Sequence, residues 1–140
     1  MSILYPVFLQ VLLTFAVLIA MGPARSQSLR DSRTPLTDRD LALGQNTWSD
    51  TATKRANNFR NQFELPVLFY AVVAFALLLK QTDALMVGLA WAFALSRVVH
   101  AAIHVGFNDV WWRAVVYLGG AVVLLAMWIV LGVRVASGAV

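Results

Sequence analysis

Apolar residues gather in four blocks along this chain, Ile3–Gly22, Leu65–Leu79, Ala84–Val105 and Ala114–Val133. A helix needs about 20 mostly apolar residues to cross a hydrocarbon core. The first, third and fourth blocks meet that length. The second has 15 residues, which span about 22 Å of a core about 30 Å thick. The second helix must therefore draw Arg60–Glu64 into or near the core. The third block has the same property at its other end. Its uninterrupted apolar run stops at Leu95, so the span takes in Arg97, His100 and His104. The pattern predicts an all-α, integral membrane four-helix bundle in one domain. Its spans fall at about 3–22, 58–79, 84–105 and 113–133, with a polar loop at 23–57.

Local signals predict where the helices begin and end. Gly22-Pro23 reads as the stop of the first helix, and Arg25–Asp40 as loop. Ser49 or Asp50 is placed to cap the second helix, and Thr51–Glu64 contains no breaker. Pro66 frees a carbonyl and kinks that helix near Glu64. Lys80–Asp83 is short enough to force the second and third helices antiparallel, with Asp83 as a cap. Gly106–Trp112 is the second short turn, with Trp111 and Trp112 at the level of an interfacial aromatic belt.

Composition supports the membrane reading. The chain is 60% hydrophobic and only 13% charged, against about 25% charged in a soluble domain. Its net charge of +4 does not point to nucleic acid. Seven basic residues (Arg25, Arg30, Arg33, Arg39, Lys54, Arg55 and Arg60) lie in the first inter-helix segment, interleaved with Asp31, Asp38, Asp40 and Asp50. Such an excess in one loop follows the positive-inside rule. The loop is expected on the cytoplasmic side, with both termini and the Lys80–Asp83 turn opposite. Met1-Ser2 supplies no positive stretch before the first apolar block, so that block is expected to be a retained helix. With no cysteine, disulfide scaffolds, thiolate nucleophiles and cysteine metal sites are excluded.

The ionisable residues at membrane depth carry the functional signal. Asn57, Asn61 and Glu64 stand at i, i+4, i+7, and Arg60 and Glu64 have the i, i+4 spacing of an ion pair. Arg97, His100 and His104 stand at i, i+3, i+7, and Arg113 and Tyr117 at i, i+4. Each helix thus presents one polar stripe, and all three stripes fall at the same membrane face. One carboxylate among three arginines leaves excess positive charge, a pocket suited to the carboxylates of a small ligand. Taken singly, each feature has a plainer reading. Arg60 and Arg113 alone fit snorkelling to the headgroups, Arg60–Glu64 a structural pair, and the histidines hydrogen-bonded packing between helices. Three stripes at one leaflet weaken those readings together. Two histidines and Glu64 also resemble a metal ligand set, but nearby arginines oppose a cation.

These residues, in this order, resemble the MAPEG family, the membrane-associated proteins in eicosanoid and glutathione metabolism. Arg60-Asn61-Gln62-Phe63-Glu64 is similar to the family's Arg-Asn-x-x-Glu, Arg97-Val98-Val99-His100 to its Arg-x-x-His, and Arg113–Tyr117 to its Arg-x-x-x-Tyr. The step from His104 to Arg113 fits the prostaglandin E synthase-like branch, beside the microsomal glutathione transferases. The resemblance implies a homotrimer that binds glutathione as cosubstrate between subunits, near the cytoplasmic face. It implies that Arg60, Asn61, Glu64, Arg97, His100, His104 and Tyr117 hold the tripeptide. Glu64 takes its amino group, and Arg113 is the catalytic residue that stabilises the thiolate. The expected partners are membrane lipid and a lipophilic electrophile that enters from the bilayer, with no metal. Asn57 stands where members often have a second arginine, His104 where the eicosanoid branch has tyrosine, and Ala114 where some members have a serine near the thiol, which speaks against a specific prostaglandin or leukotriene activity. A non-catalytic protein of the same fold, binding a lipid or a protein partner, is the alternative expectation. A transporter is disfavoured, since no polar stripe continues to the other leaflet.

Overall fold

The computed structural model describes residues 2–31, 37 and 48–138. The helices are α1 (Leu4–Asp31), α2 (Asp50–Arg60), α3 (Leu65–Leu78), α4 (Ala84–Val105) and α5 (Val110–Ala136). A single 3-10 turn, Asn61–Phe63, joins α2 to α3. No strand occurs among the described residues. Four stretches are long and apolar enough to cross a membrane: α1, α2 with α3 (Asp50–Leu78), α4 and α5. The bundle buries Phe69, Val72 and Ala76 of α3 against Met86, Ala90 and Phe93 of α4 and Leu124 and Met127 of α5. The Phe69 and Phe93 rings stack with centroids 4.6 Å apart. The outward faces are apolar too, with Leu12, Phe15 and Ile19 on α1 and Leu118, Val122 and Leu125 on α5 exposed. That is the surface a lipid solvent selects.

Two boundaries differ from those the local signals predict. Helix α1 does not stop at Gly22-Pro23 but runs through Pro23 to Asp31. A proline costs a helix one backbone bond and crowds the preceding turn. The carbonyl that Pro23 leaves without a donor is that of Ile19, and one residue on in the same turn Arg55 of α2 donates to the Ala20 carbonyl at 2.6 Å. Beyond the proline, the Ser28 hydroxyl accepts from the Ser49 amide at 2.8 Å, and Arg25 lies 5.3 Å from the Trp48 ring centroid. Arg25–Asp31 is therefore helix and not loop. Arg33, Asp38, Arg39 and Asp40 lie outside the described residues.

The second difference lies between α2 and α3. Ser49 caps α2, its hydroxyl accepting from the Ala52 amide. The helix does not continue to Glu64; it tightens into the 3-10 turn and breaks at Glu64, with φ −92° and ψ −96°. Pro66 is the cause. It cannot donate to the Gln62 carbonyl, and its ring crowds that carbonyl. It sits instead in the first turn of α3, where its missing N–H costs nothing. A buried amide chain fixes the break against α1. Gln10 Nε2 donates to Gln62 Oε1 at 2.9 Å, and Gln62 Nε2 donates to the Asn58 carbonyl at 3.3 Å.

The two short turns use left-handed residues, Lys80 at φ 56° and Asn108 at φ 51°. Asp83 caps α4 by accepting from the Met86 amide at 3.1 Å. Asp109 caps α5 by accepting from the Trp112 amide at 2.9 Å. Asp83 also pairs with Arg134 at 2.8 Å, tying the α3–α4 turn to the far end of α5. Asp83 is exposed, and Arg134 and the Met86 amide hold its carboxyl below the usual carboxylate range. Because the folded-state pKa is the lower one, this contribution is full above the ordinary value and is lost as pH falls through the folded value. Asp83→Asn is expected to lower the thermal midpoint at neutral pH, with the difference from wild type shrinking only as pH falls below about 4. Thermal unfolding in detergent across pH checks this.

Helices α4 and α5 pack closely at Gly120, where an added Cβ would lie 2.6 Å from the Ser96 hydroxyl. Ser96 is itself bonded to the Phe93 carbonyl at 2.7 Å. Gly120→Val is expected to cost about 1–3 kcal/mol by forcing the pair apart. The readout is the thermal midpoint in detergent, and an unchanged midpoint would show that Ser96 absorbs the added side chain.

Candidate functional site

The break at Glu64 shapes the site. Helix termini leave carbonyls without an intrahelical partner. Arg97 of α4, fully buried, donates from Nη2 to the Asn61 carbonyl at 3.0 Å. Its guanidinium carbon lies 5.3 Å from the Tyr117 ring centroid, so the cation covers the back of that ring. The Tyr117 hydroxyl donates to Glu64 Oε2 at 3.0 Å. His100, also buried, stands with its ring centroid 5.6 Å from that of Tyr117 and 5.9 Å from that of His104. Arg113, in the first turn of α5, donates from Nη1 to Asn108 Oδ1 at 2.9 Å. The left-handed turn at Asn108 brings that amide back over the start of α5.

A cavity of about 510 Å³ opens between these elements, lined by Asn61, Glu64, His100, Arg113 and Tyr117. Val110, Ala114 and Leu118 complete its wall, and all three are exposed on the outer face of α5. The cavity thus joins polar groups to an apolar, exposed rim. Of the predicted residues, Arg97 and His104 stand behind this wall, and Arg97 reaches the cavity only through Asn61 and Tyr117. Arg60 is not brought in. It is exposed, and no ion pair joins it to Glu64; among the described residues the only ion pair is Asp83 with Arg134. The i, i+4 spacing presumes a continuous helix, and the 3-10 turn after Arg60 breaks that geometry. Glu64 takes Tyr117 as its partner instead. Asn57 is exposed and does not line the cavity.

Sequence reasoning missed Asn108, which positions Arg113. The signal was present, because asparagine tolerates the left-handed conformation that a tight inter-helix turn needs. It also missed Gln10, Asn58 and Gln62, which fix α1 against the broken helix.

The electrostatics are one-sided. Among the described residues Glu64 is the only carboxylate on the cavity wall, against the Arg113 guanidinium and Arg97 behind Tyr117. Arg97 Nε and Nη1, His100 Nδ1 and Arg113 Nε are buried without a hydrogen-bond partner. A buried polar atom left unpaired costs about 1–3 kcal/mol, so a site with several such atoms favours a polar ligand. One carboxylate beside several donors suits a ligand with an ammonium and more than one anionic group. Comparisons with curated proteins and with solved structures return no match. The family model of the MAPEG family matches residues 3–133, nearly the whole chain, and the protein therefore belongs to that family as an integral, multi-pass membrane protein.

Proposed function

We propose that the protein activates the thiol of glutathione for attack on a lipophilic electrophile, as a membrane transferase or peroxidase. MAPEG membership supports a membrane function in glutathione or eicosanoid metabolism. The observation that carries the finer reading is the shared cavity. It sets the Arg113 guanidinium, the Glu64 carboxylate, His100 and Tyr117 around one space whose mouth is apolar.

Glu64 receives the ammonium of the tripeptide, and Tyr117 orients that carboxylate through its hydroxyl. Asn61 and His100 offer polar contacts to the peptide, with Arg97 adding positive charge from behind and His104 packing against His100. Arg113 faces the sulfur. A thiol with pKa near about 8.5 is mostly protonated at neutral pH, and a guanidinium in a low-dielectric site favours the thiolate. The thiol proton leaves to solvent. The sulfur then forms a bond to an electrophilic carbon while the leaving group departs with its bonding pair. With a lipid hydroperoxide, the sulfur attacks the terminal oxygen and the O–O bond breaks to release an alcohol. A second glutathione then reduces the sulfenic acid to a disulfide and water. The electrophile partitions from lipid past Val110, Ala114 and Leu118.

The protein acts as a homotrimer, as the family resemblance implies, and its site lies at the cytoplasmic face that the basic first segment marks. The test is a glutathione titration of purified protein in detergent, followed by thiolate absorbance. Bound glutathione is expected to ionise well below its solution pKa. Binding without thiolate, or no binding at millimolar glutathione, would reject thiol activation in favour of a non-catalytic lipid- or partner-binding protein of the same fold.

A further inference from the structure

A second cavity lies on a different face of α4. It is a groove of about 280 Å³ between α1, α2 and α4, walled by Leu13, Val17 and Ala20 on one side and Val98, Ala102 and Val105 on the other. On α4 its residues are offset from Arg97, His100 and His104 by about a third of a turn, so the two cavities do not share a wall there. Small residues normally let membrane helices close on each other. Ala20, Ala101 and Ala102 stand here without closing the gap.

The groove has a polar end. Arg55 lines it, and a smaller cavity of about 90 Å³ shares Arg55 and Val105 with it and adds Thr51 and Lys54. Among the described residues no carboxylate lines either space, and neither cation forms an ion pair. The Ala20 carbonyl fixes Arg55 at this position through one of its five N–H donors. Asn58, fully buried, lines the groove, and its Nδ2 has no hydrogen-bond partner.

We propose that this groove binds an acidic phospholipid, with an acyl chain between α1 and α4 and its phosphate on Lys54 and Arg55. The apolar walls fit hydrocarbon, and Asn58 Nδ2 offers a donor to an ester carbonyl along the chain. A guanidinium and an ammonium at the membrane-surface end of a span attract anionic headgroups and bond phosphate oxygens. The site is separate from the thiol cavity, and the proposal stands or falls apart from the proposed chemistry.

Native mass spectrometry of the whole protein, released from mild detergent, tests this with three probes. They are phosphatidylglycerol, phosphatidylcholine with the same chains, and oleate. Wild type is expected to retain one phosphatidylglycerol per chain and to lose phosphatidylcholine. Ala102→Phe, which fills the open side of the groove, is expected to abolish retention with subunit assembly unchanged. Lys54→Gln, a milder change outside the helix packing, is expected to weaken retention about tenfold. Equal retention of both phospholipids overturns the proposal, as does retention of oleate without phosphatidylglycerol. Undiminished retention in both variants overturns it too. So does a change of subunit number in Ala102→Phe, which would make the groove a contact between copies of the chain.

Discussion

Arg113→Leu is expected to lower kcat with a lipophilic electrophile by roughly 10²–10³-fold while changing the KM for glutathione only a few-fold. The size follows from losing a fixed donor aimed at charge that is needed most at the reacting atom. The structure supplies the means of fixing it. Asp109 starts α5, the left-handed Asn108 returns its amide to Arg113 at 2.9 Å, and the Arg113 side chain lines the cavity. No described carboxylate pairs with the guanidinium, so its charge remains available to an incoming anion. A thiolate is such an anion. Arg113→Lys keeps the charge but not the planar fork, and is expected to fall between the two. Steady-state kinetics beside thiolate absorbance decide the matter. A loss confined to KM would make Arg113 a binding residue, and an unchanged kcat would move thiol activation elsewhere.

Glu64→Leu is expected to raise the KM for glutathione roughly 10- to 150-fold with kcat nearly kept. A hydrogen bond to a charged group contributes about 1.5–3 kcal/mol, which converts to that range. Glu64 is the one described carboxylate on the cavity wall, and the Tyr117 hydroxyl holds it at 3.0 Å. Tyr117→Phe keeps the carboxylate and loses only its orienting bond, so a change of several-fold is expected. A glutathione analogue without the amino group discriminates between explanations. It should bind wild type and Glu64→Leu alike if Glu64 receives the ammonium. If the variant still weakens that analogue, Glu64 acts through the shape of the broken helix and not through its charge.

The sequence by itself determined the elements that rest on local chemistry. Four spans follow from the length of apolar runs, because a bilayer sets that length whatever the neighbours are. Caps at Ser49 and Asp83 follow from side chains that accept from amides three residues on. Glu64, Arg113 and Tyr117 were legible as one group, since polar residues at membrane depth converge on a common space. The tertiary structure decided what depends on another element. Pro23 reads as a stop in isolation, yet Arg55 from α2 serves the turn it disturbs, and α1 continues to Asp31. The i, i+4 spacing of Arg60 and Glu64 predicts a pair only along an unbroken helix. Pro66 breaks that helix, so Glu64 turns to Tyr117 and Arg60 is left exposed. Whether an arginine lines a cavity or backs it is likewise a matter of packing. Arg97 is drawn inward because the same break leaves the Asn61 carbonyl needing a donor, and no spacing within α4 carries that information.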